Sequence, residues 1–129
     1  MIEIYKGFWT LQTALNNPTK LYLFGDNDVG KGCGGQAIIR TAPNSCGIPT
    51  KKLPSLAPNS FYTDQEYDLN VKKIDVAINK IKLLSKDYEA VVFPADGFGT
   101  GLAKLEEHAP LTFIYLINAV DDLKMWLVS

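Results

Sequence analysis

The chain has 129 residues, which is the size of one domain, so we expect a single domain over residues 1–129. Its formal net charge of −1 argues against a surface that binds nucleic acid through bulk electrostatics. The N-terminal residues lack a signal-peptide pattern, no apolar run is long enough to cross a bilayer, and Cys33 and Cys46 lack the spacing of metal ligands. We therefore expect a cytoplasmic protein with no membrane association, no metal site and no cofactor.

The first third of the chain predicts two strands joined by a short helix. Residues 2–5 alternate apolar with other side chains, which indicates a strand at a sheet edge. Thr10 is placed to cap a short helix that runs to Asn16. Residues 21–24 are a continuous apolar run, which is typical of a strand buried on both faces.

The middle of the chain predicts an edge strand and one long helix. Residues 46–50 have strand character, and Pro49 either places this strand at an edge or ends it there. A helix over residues 64–86 carries apolar side chains at helical spacing, and Thr63 with Glu66 fits a capping box at its start. We expect this helix to be the crossover between two neighbouring strands.

The last third predicts a buried strand over residues 91–93 and a final helix that begins at Pro110. Buried strands that alternate with helices indicate an α/β layered fold.

Each of the two buried strands runs directly into a glycine-rich loop. The first loop spans residues 25–35 and leads into a helix-compatible segment over residues 35–41, and the second spans residues 96–101. Ligands of open α/β sheets bind beyond the carboxyl ends of the strands, and glycines there let successive amide groups turn toward an anion. The two loops therefore predict one binding site for a phosphate-bearing nucleotide.

A P-loop is the first alternative, since residues 25–31 fit the spacing G-x-x-x-x-G-K after a strand. The next residue is Gly32, so the hydroxyl that would bind magnesium is missing. Asp26 and Asp28 would also place negative charge inside a phosphate cradle. These features disfavour an NTPase.

The chain resembles the macrodomain family, and within it the branch that removes ADP-ribose from acidic side chains or nucleic-acid bases. An acidic residue followed by a glycine-rich stretch, a strand that ends in Thr-Lys, and a Pro-x-x-Gly-x-Gly-Leu loop occur here in the order of that branch. The matching segments are residues 28–37, residues 48–52 and residues 94–105.

This resemblance implies a three-layer α/β/α sandwich with a mixed sheet, which would bind ADP-ribose or a relative with its diphosphate between the two loops. It also implies that an early acidic residue contacts the adenine, for which Asp26 and Asp28 are the candidates. One departure is notable, because that branch tends to have an aspartate after Gly-Leu in the second loop, where this chain has Ala103. A Lys-plus-Asp catalytic pair is therefore incomplete at its expected position.

Two residues are the candidates for catalysis. Lys51 could attack an anomeric carbon or balance phosphate charge, and the alternative is a solvated basic turn. Asp96 could act as a general base or bind a ribose hydroxyl, and the alternative is an aspartate that caps its own turn.

The remaining candidates would bind the ligand. Asn27 could contact the distal ribose or else stabilise its own turn, and Arg40 could reach a phosphate or else be merely exposed. Phe98 could stack on a sugar or base or else pack into the core. His108 is the only histidine and has no second metal ligand near it, so we expect it at the surface. The full set of predicted ligand-binding residues is Asp26, Asn27, Asp28, Gly30, Gly32, Gly34, Gly35, Gln36, Thr50, Gly97, Phe98, Gly99, Thr100 and Gly101.

Two functions are consistent with these residues. The protein could bind ADP-ribose on a macromolecule and hydrolyse it off, or it could bind and sequester a free ADP-ribose-type nucleotide without turnover. Ala103 favours binding alone, whereas Lys51 with Asp96 favours hydrolysis.

Overall fold

The computed structural model describes all 129 residues and contains one four-stranded sheet. The strands are β1 (Ile2–Tyr5), β2 (Lys20–Asn27), β3 (Ser45–Lys51) and β4 (Ala90–Pro94), in the spatial order β1-β4-β2-β3. All three strand pairs are parallel, so the expected mixed sheet is wrong. Each connection returns the chain to the same end of the sheet, which forces the next strand to run in the same direction. The only antiparallel pairing is an isolated bridge between Lys51 and Phe61.

The central strand β2 is buried on both faces, as its apolar run predicts. Leu21 and Leu23 belong to a core cluster that includes the long helices α2 (Tyr67–Leu84) and α4 (Pro110–Val128). Tyr22 and Phe24 point to the opposite face and belong to a second cluster with Trp9 and Ile39. That face is covered only by the short helix α1 (Leu11–Leu15) and a 3-10 turn over Gly35–Ile39. The α/β fold is thus confirmed.

The crossover through α2 joins β3 to β4, which are separated by β2. The expectation that this helix links neighbouring strands is therefore wrong. All five residues of β4 are buried, and this strand pairs with β1 on one edge and with β2 on the other. The edge positions expected for β1 and β3 are confirmed.

Of three features predicted at helix N-termini, the structure contains two and lacks one. Thr10 Oγ1 accepts a hydrogen bond from Thr13 N at the start of α1, and Pro110 occupies the first turn of α4, as predicted. The capping box of Thr63 and Glu66 does not form, because Glu66 pairs with Lys52 instead. A short helix α3 (Leu105–His108) precedes α4. None of the helices is both long and apolar enough to cross a membrane.

Candidate functional site

A cavity of about 550 Å³ opens at the carboxyl ends of the strands. Its walls include loop 1 (residues 28–34, between β2 and the 3-10 turn) and loop 2 (residues 95–104, between β4 and α3). The remaining sides are closed by residues 7–9, which follow β1, and by Lys51 and residues 54–56, at the end of β3 and beyond it. The chain segments at the carboxyl ends of all four strands therefore line one cavity, as is usual in an open α/β sheet of parallel strands.

The side chain of Gln36 links β2 to loop 2. Its Oε1 accepts a hydrogen bond of 2.7 Å from Gly25 N, and its Nε2 donates one of 2.8 Å to Gly97 O. The backbones are close here, since a Cβ atom built on Gly25 would lie only 3.8 Å from Gly99 N. The single Gln36 side chain thus fixes the end of β2 against loop 2.

Both loops present runs of backbone amides that have no acceptor in the protein. The N–H groups of residues 32–34 in loop 1 and of residues 99–103 in loop 2 donate no hydrogen bond within the chain. Gly32 has a φ of 89° and Gly99 a φ of 77°, so each run includes a residue in the left-handed region. Left-handed residues in a loop can turn neighbouring N–H groups toward an anion.

Three of the predicted polar ligands use their side chains to shape loop 1. Asn27 Nδ2 donates to Lys31 O, and Asn27 Oδ1 accepts from the amides of Val29 and Lys31. Asp26 forms an ion pair of 2.5 Å with Arg40, whose guanidinium also donates to the carbonyls of Lys31 and Gly32. Asn27, Asp26 and Arg40 are therefore occupied by loop 1 itself rather than free for a ribose, an adenine or a phosphate.

Four of the predicted ligand-binding residues lie outside the cavity lining, namely Asp28, Gly30, Gly97 and Phe98. Asp28 accepts a hydrogen bond of 2.5 Å from Tyr62 Oη and pairs with Lys73 Nζ at 2.7 Å, so it anchors loop 1 to α2. This hydrogen bond and burial together raise the pKa of Tyr62. Phe98 is buried in the main core cluster, so it packs into the core and does not stack on a ligand.

The structure brings the other predicted residues to the cavity. These are Asp26, Asn27, Gly32, Gly34, Gly35, Gln36, Thr50, Lys51, Asp96, Gly99, Thr100 and Gly101. Ala103, at the place where the macrodomain branch tends to have an aspartate, is buried and also lines the cavity.

Lys51 lies at the end of β3 and is buried. Its Nζ donates a hydrogen bond of 2.7 Å to Ser55 O and lies 4.9 Å from the centre of the Phe61 ring. Burial lowers the pKa of the Lys51 ammonium group. The amine is therefore closer to its neutral, nucleophilic form than an exposed lysine is.

Asp96 is exposed and follows β4. Strand β2 separates β4 from β3, and neighbouring strands lie about 5 Å apart, so Lys51 and Asp96 leave the sheet about 10 Å from each other. They face the cavity from opposite sides of β2.

Sequence patterns alone missed the segment after β1. Gly7, Phe8 and Trp9 line the cavity, although residues 2–5 predicted only an edge strand. The signal that points to them is topological, because the carboxyl end of any parallel strand lies at the ligand edge of the sheet. His108, expected at the surface, is half-buried and stacks on Phe61 with ring centres 4.1 Å apart.

Comparison with known proteins gives one match. The model of a family of unknown function, DUF7831, covers residues 4–119. The chain belongs to DUF7831. No curated protein and no solved structure matches it. The DUF7831 region includes every residue that lines the cavity, and it contains no cluster of three or more His, Cys, Asp or Glu side chains placed to hold a metal ion. Both cysteines of this DUF7831 chain are free thiols.

Proposed function

We propose that this protein binds a nucleotide of the ADP-ribose type, with its diphosphate between loop 1 and loop 2. The observation that carries the proposal is the pair of unpaired amide runs, over residues 32–34 and 99–103, on two walls of one cavity. Residues 32–34 and 100–102 are exposed, so an anion in the cavity can reach several of these amides and accept hydrogen bonds for which no protein group competes.

The size and charge of the cavity support a ligand of this class. A volume of about 550 Å³ lies within the range of about 300–1,000 Å³ that small-molecule sites have. Lys31 and Lys51 add two cationic groups to the lining, against one carboxylate without an ion pair, Asp96, because Asp26 is paired with Arg40. The resemblance of both loops to the macrodomain family favours ADP-ribose over other nucleotides.

The structure gives a P-loop function less support. Loop 1 leads into a 3-10 turn of only five residues, Gly35–Ile39, whereas a P-loop leads into an α-helix whose N-terminus faces the phosphates. Gly32 still leaves the magnesium-binding hydroxyl missing.

The binding proposal is tested by ligand-induced stabilisation. A ligand that binds only the folded state raises Tm, so we expect ADP-ribose to raise Tm more than ATP with magnesium does. Thr100→Asp places a carboxylate within the amide run of loop 2 and should abolish the ADP-ribose shift. Thr41→Asp adds the same charge at an exposed position outside the cavity and should leave the shift unchanged. An equal shift for both variants, or a larger shift with ATP and magnesium, contradicts the proposal.

Release of ADP-ribose from a macromolecule is the second candidate function, and the buried amine of Lys51 favours it. In this reaction the neutral amine attacks the anomeric carbon, and the bond from that carbon to the macromolecule breaks with its electron pair on the leaving group. Water then cleaves the carbon–nitrogen bond, which gives free ADP-ribose and restores Lys51.

Hydrolysis and sequestration are separated by one assay. The protein is incubated with an ADP-ribosylated protein or ADP-ribosylated DNA, and free ADP-ribose is measured. Release that disappears in Lys51→Ala, while ADP-ribose binding remains, supports hydrolysis. Tight binding with fully intact substrate supports a protein that binds without turnover.

A further inference from the structure

Phe8 and Asp96 lie on chain segments that leave the sheet side by side. Strands β1 and β4 pair in parallel, with Tyr5 in register with Pro94, and Ala95 N donates a hydrogen bond of 2.9 Å to Tyr5 O. Phe8 follows Tyr5 by three residues and Asp96 follows Pro94 by two. Both residues line the cavity.

Phe8 is the most exposed large apolar side chain of the protein, at 90%. Its neighbour Trp9 is fixed in place, because the indole Nε1 donates to Leu23 O at 2.9 Å and the ring stacks on Tyr5. The loop that carries Phe8 is thus anchored, while the Phe8 ring has both faces free. An exposed aromatic side chain on an anchored loop at a cavity is suited to stacking against a planar ligand group.

Asp96 is the acidic group of the cavity that is free to accept hydrogen bonds. Its carboxylate has no hydrogen bond and no ion pair within the chain. The other acidic residue of the lining, Asp26, is paired with Arg40 and bonded to Asn27 N. A hydrogen-bond donor on a ligand beside Phe8 would therefore meet Asp96.

We propose that Phe8 and Asp96 form the base subsite of the nucleotide site, which rests on the function proposed above. The base stacks on the Phe8 ring, and its exocyclic amine donates to the Asp96 carboxylate. Adenine has such an amine, whereas hypoxanthine has an oxygen at the same position, and two acceptors that face each other repel. With the C6 substituent placed at Asp96, the subsite therefore favours adenine over hypoxanthine, so the ligand class is a nucleotide of an amino base such as adenine.

This assignment replaces two expectations from the sequence. The adenine contact moves from Asp26 and Asp28, which are engaged by Arg40 and by Tyr62 with Lys73, to Asp96. Asp96 becomes a binding residue and not the catalytic partner of Lys51, from which β2 separates it.

The test compares three ligands by calorimetry: ADP-ribose, its hypoxanthine analogue IDP-ribose, and ribose 5-phosphate. We expect the wild-type protein to bind ADP-ribose at least about tenfold more tightly than IDP-ribose, as one base-specific hydrogen-bond pattern gives. Asp96→Asn offers an amide N–H to the hypoxanthine oxygen, so the ratio of the two affinities should fall to near one or invert. Asp121→Asn, at an exposed position of α4, is the matched control and should keep the wild-type ratio.

Stacking is tested separately at Phe8. Phe8→Ala should weaken both ADP-ribose and IDP-ribose about tenfold and leave ribose 5-phosphate unchanged, because only the base loses a contact. Phe8→Tyr should retain the affinity, and Leu111→Ala, an exposed apolar residue of α4, controls for truncation at the surface. An unchanged ratio in Asp96→Asn, or unchanged affinities in Phe8→Ala, overturns the base subsite while phosphate binding stands. If neither ADP-ribose nor ribose 5-phosphate binds, the proposed function itself fails.

Discussion

At the scale of single residues, Gly99 is required for the shape of loop 2. It has a φ of 77°, and a Cβ atom at this position would lie 2.9 Å from Leu105 Cβ, which belongs to a fully buried side chain. Leu105 N donates to Gly99 O at 2.9 Å, so the two backbones cannot separate without losing this bond. We expect Gly99→Ala to lower the free energy of unfolding by about 1–3 kcal/mol in urea denaturation.

Gly101 is the matched control for that substitution. It lies in the same loop, its φ is outside the left-handed region, and a Cβ atom there meets nothing within 4 Å. Gly101→Ala should change the free energy of unfolding by less than about 0.5 kcal/mol. Equal losses of stability in the two variants would show that loop 2 responds to a side chain as such and not to the geometry of Gly99.

Residue-level prediction of the site was correct where backbone chemistry decides and incomplete where side chains compete for partners. Several glycines of the two loops do adopt the left-handed conformation, among them Gly32 and Gly99. The sequence left two roles open for Asn27, a contact to a ligand or a turn of its own loop, and its side chain satisfies backbone groups of that loop. A sequence shows which donors and acceptors exist, whereas their pairing depends on distances that only the fold sets.

At the scale of elements, Asp64 caps a helix that begins far from it in sequence. Its carboxylate accepts hydrogen bonds from Leu111 N at 2.9 Å, from Thr112 N at 3.0 Å and from Thr112 Oγ1 at 2.9 Å, at the start of α4. Burial acts to raise the pKa of the Asp64 carboxyl, but these three hydrogen bonds lower it below its ordinary value. Asp64 thus couples the entry of α2 to α4.

The lowered pKa of Asp64 determines how its contribution to the free energy of unfolding changes with pH. The stabilisation by Asp64 is complete above about pH 4, the ordinary pKa of a carboxyl, and is lost as the pH falls through the lower pKa of the folded state. Asp64→Ala should cost about 1 kcal/mol at pH 7, as the loss of an N-cap does, and progressively less below pH 4. Urea denaturation at pH 7 and pH 3 measures both values. A cost that grows on acidification contradicts the role of the carboxylate.

Prediction of the elements was strongest where one local pattern decides. The apolar run of β2, the cap of α1 and the first turn of α4 all follow from a few adjacent residues. The partner of Glu66 and the place of β4 in the sheet depend on contacts between distant segments, so the local pattern gave a wrong answer for both. The capping box expected at Thr63 does not form, because Glu66 makes an ion pair with Lys52 that local spacing does not predict.

At the scale of the whole molecule, the cavity depends on how Gln36 holds its two main walls together. Gln36→Glu keeps an acceptor for Gly25 N but cannot donate to Gly97 O. The substitution therefore removes the hydrogen bond to loop 2 and keeps the one to β2. We expect a folded protein whose affinity for ADP-ribose is about five- to tenfold lower, the equivalent of one hydrogen bond. Gln12→Glu, at an exposed position of α1, makes the same change away from the cavity and should keep the affinity. Unaltered binding in Gln36→Glu would mean that the walls hold their places without this side chain.

The two candidate functions of the molecule differ in how they depend on the charge of Lys51. Burial lowers the pKa of its ammonium group, so the neutral amine becomes populated below the ordinary lysine value of about 10.4. As pH rises through that lowered pKa, an amine-dependent release of ADP-ribose should accelerate, while binding of the diphosphate should weaken because the cavity loses a positive charge. Single-turnover release and calorimetric affinity, measured over the same pH range, should therefore change in opposite directions.

Lys51→Arg separates these two dependences, because a guanidinium stays protonated throughout this range. The variant should bind ADP-ribose with an affinity that no longer falls with pH, and it should release none from an ADP-ribosylated substrate. Release by Lys51→Arg at the wild-type rate would exclude Lys51 as the nucleophile. Binding that weakens with pH in Lys51→Arg as it does in the wild type would place the titrating cation elsewhere in the cavity, with Lys31 as the next residue to substitute.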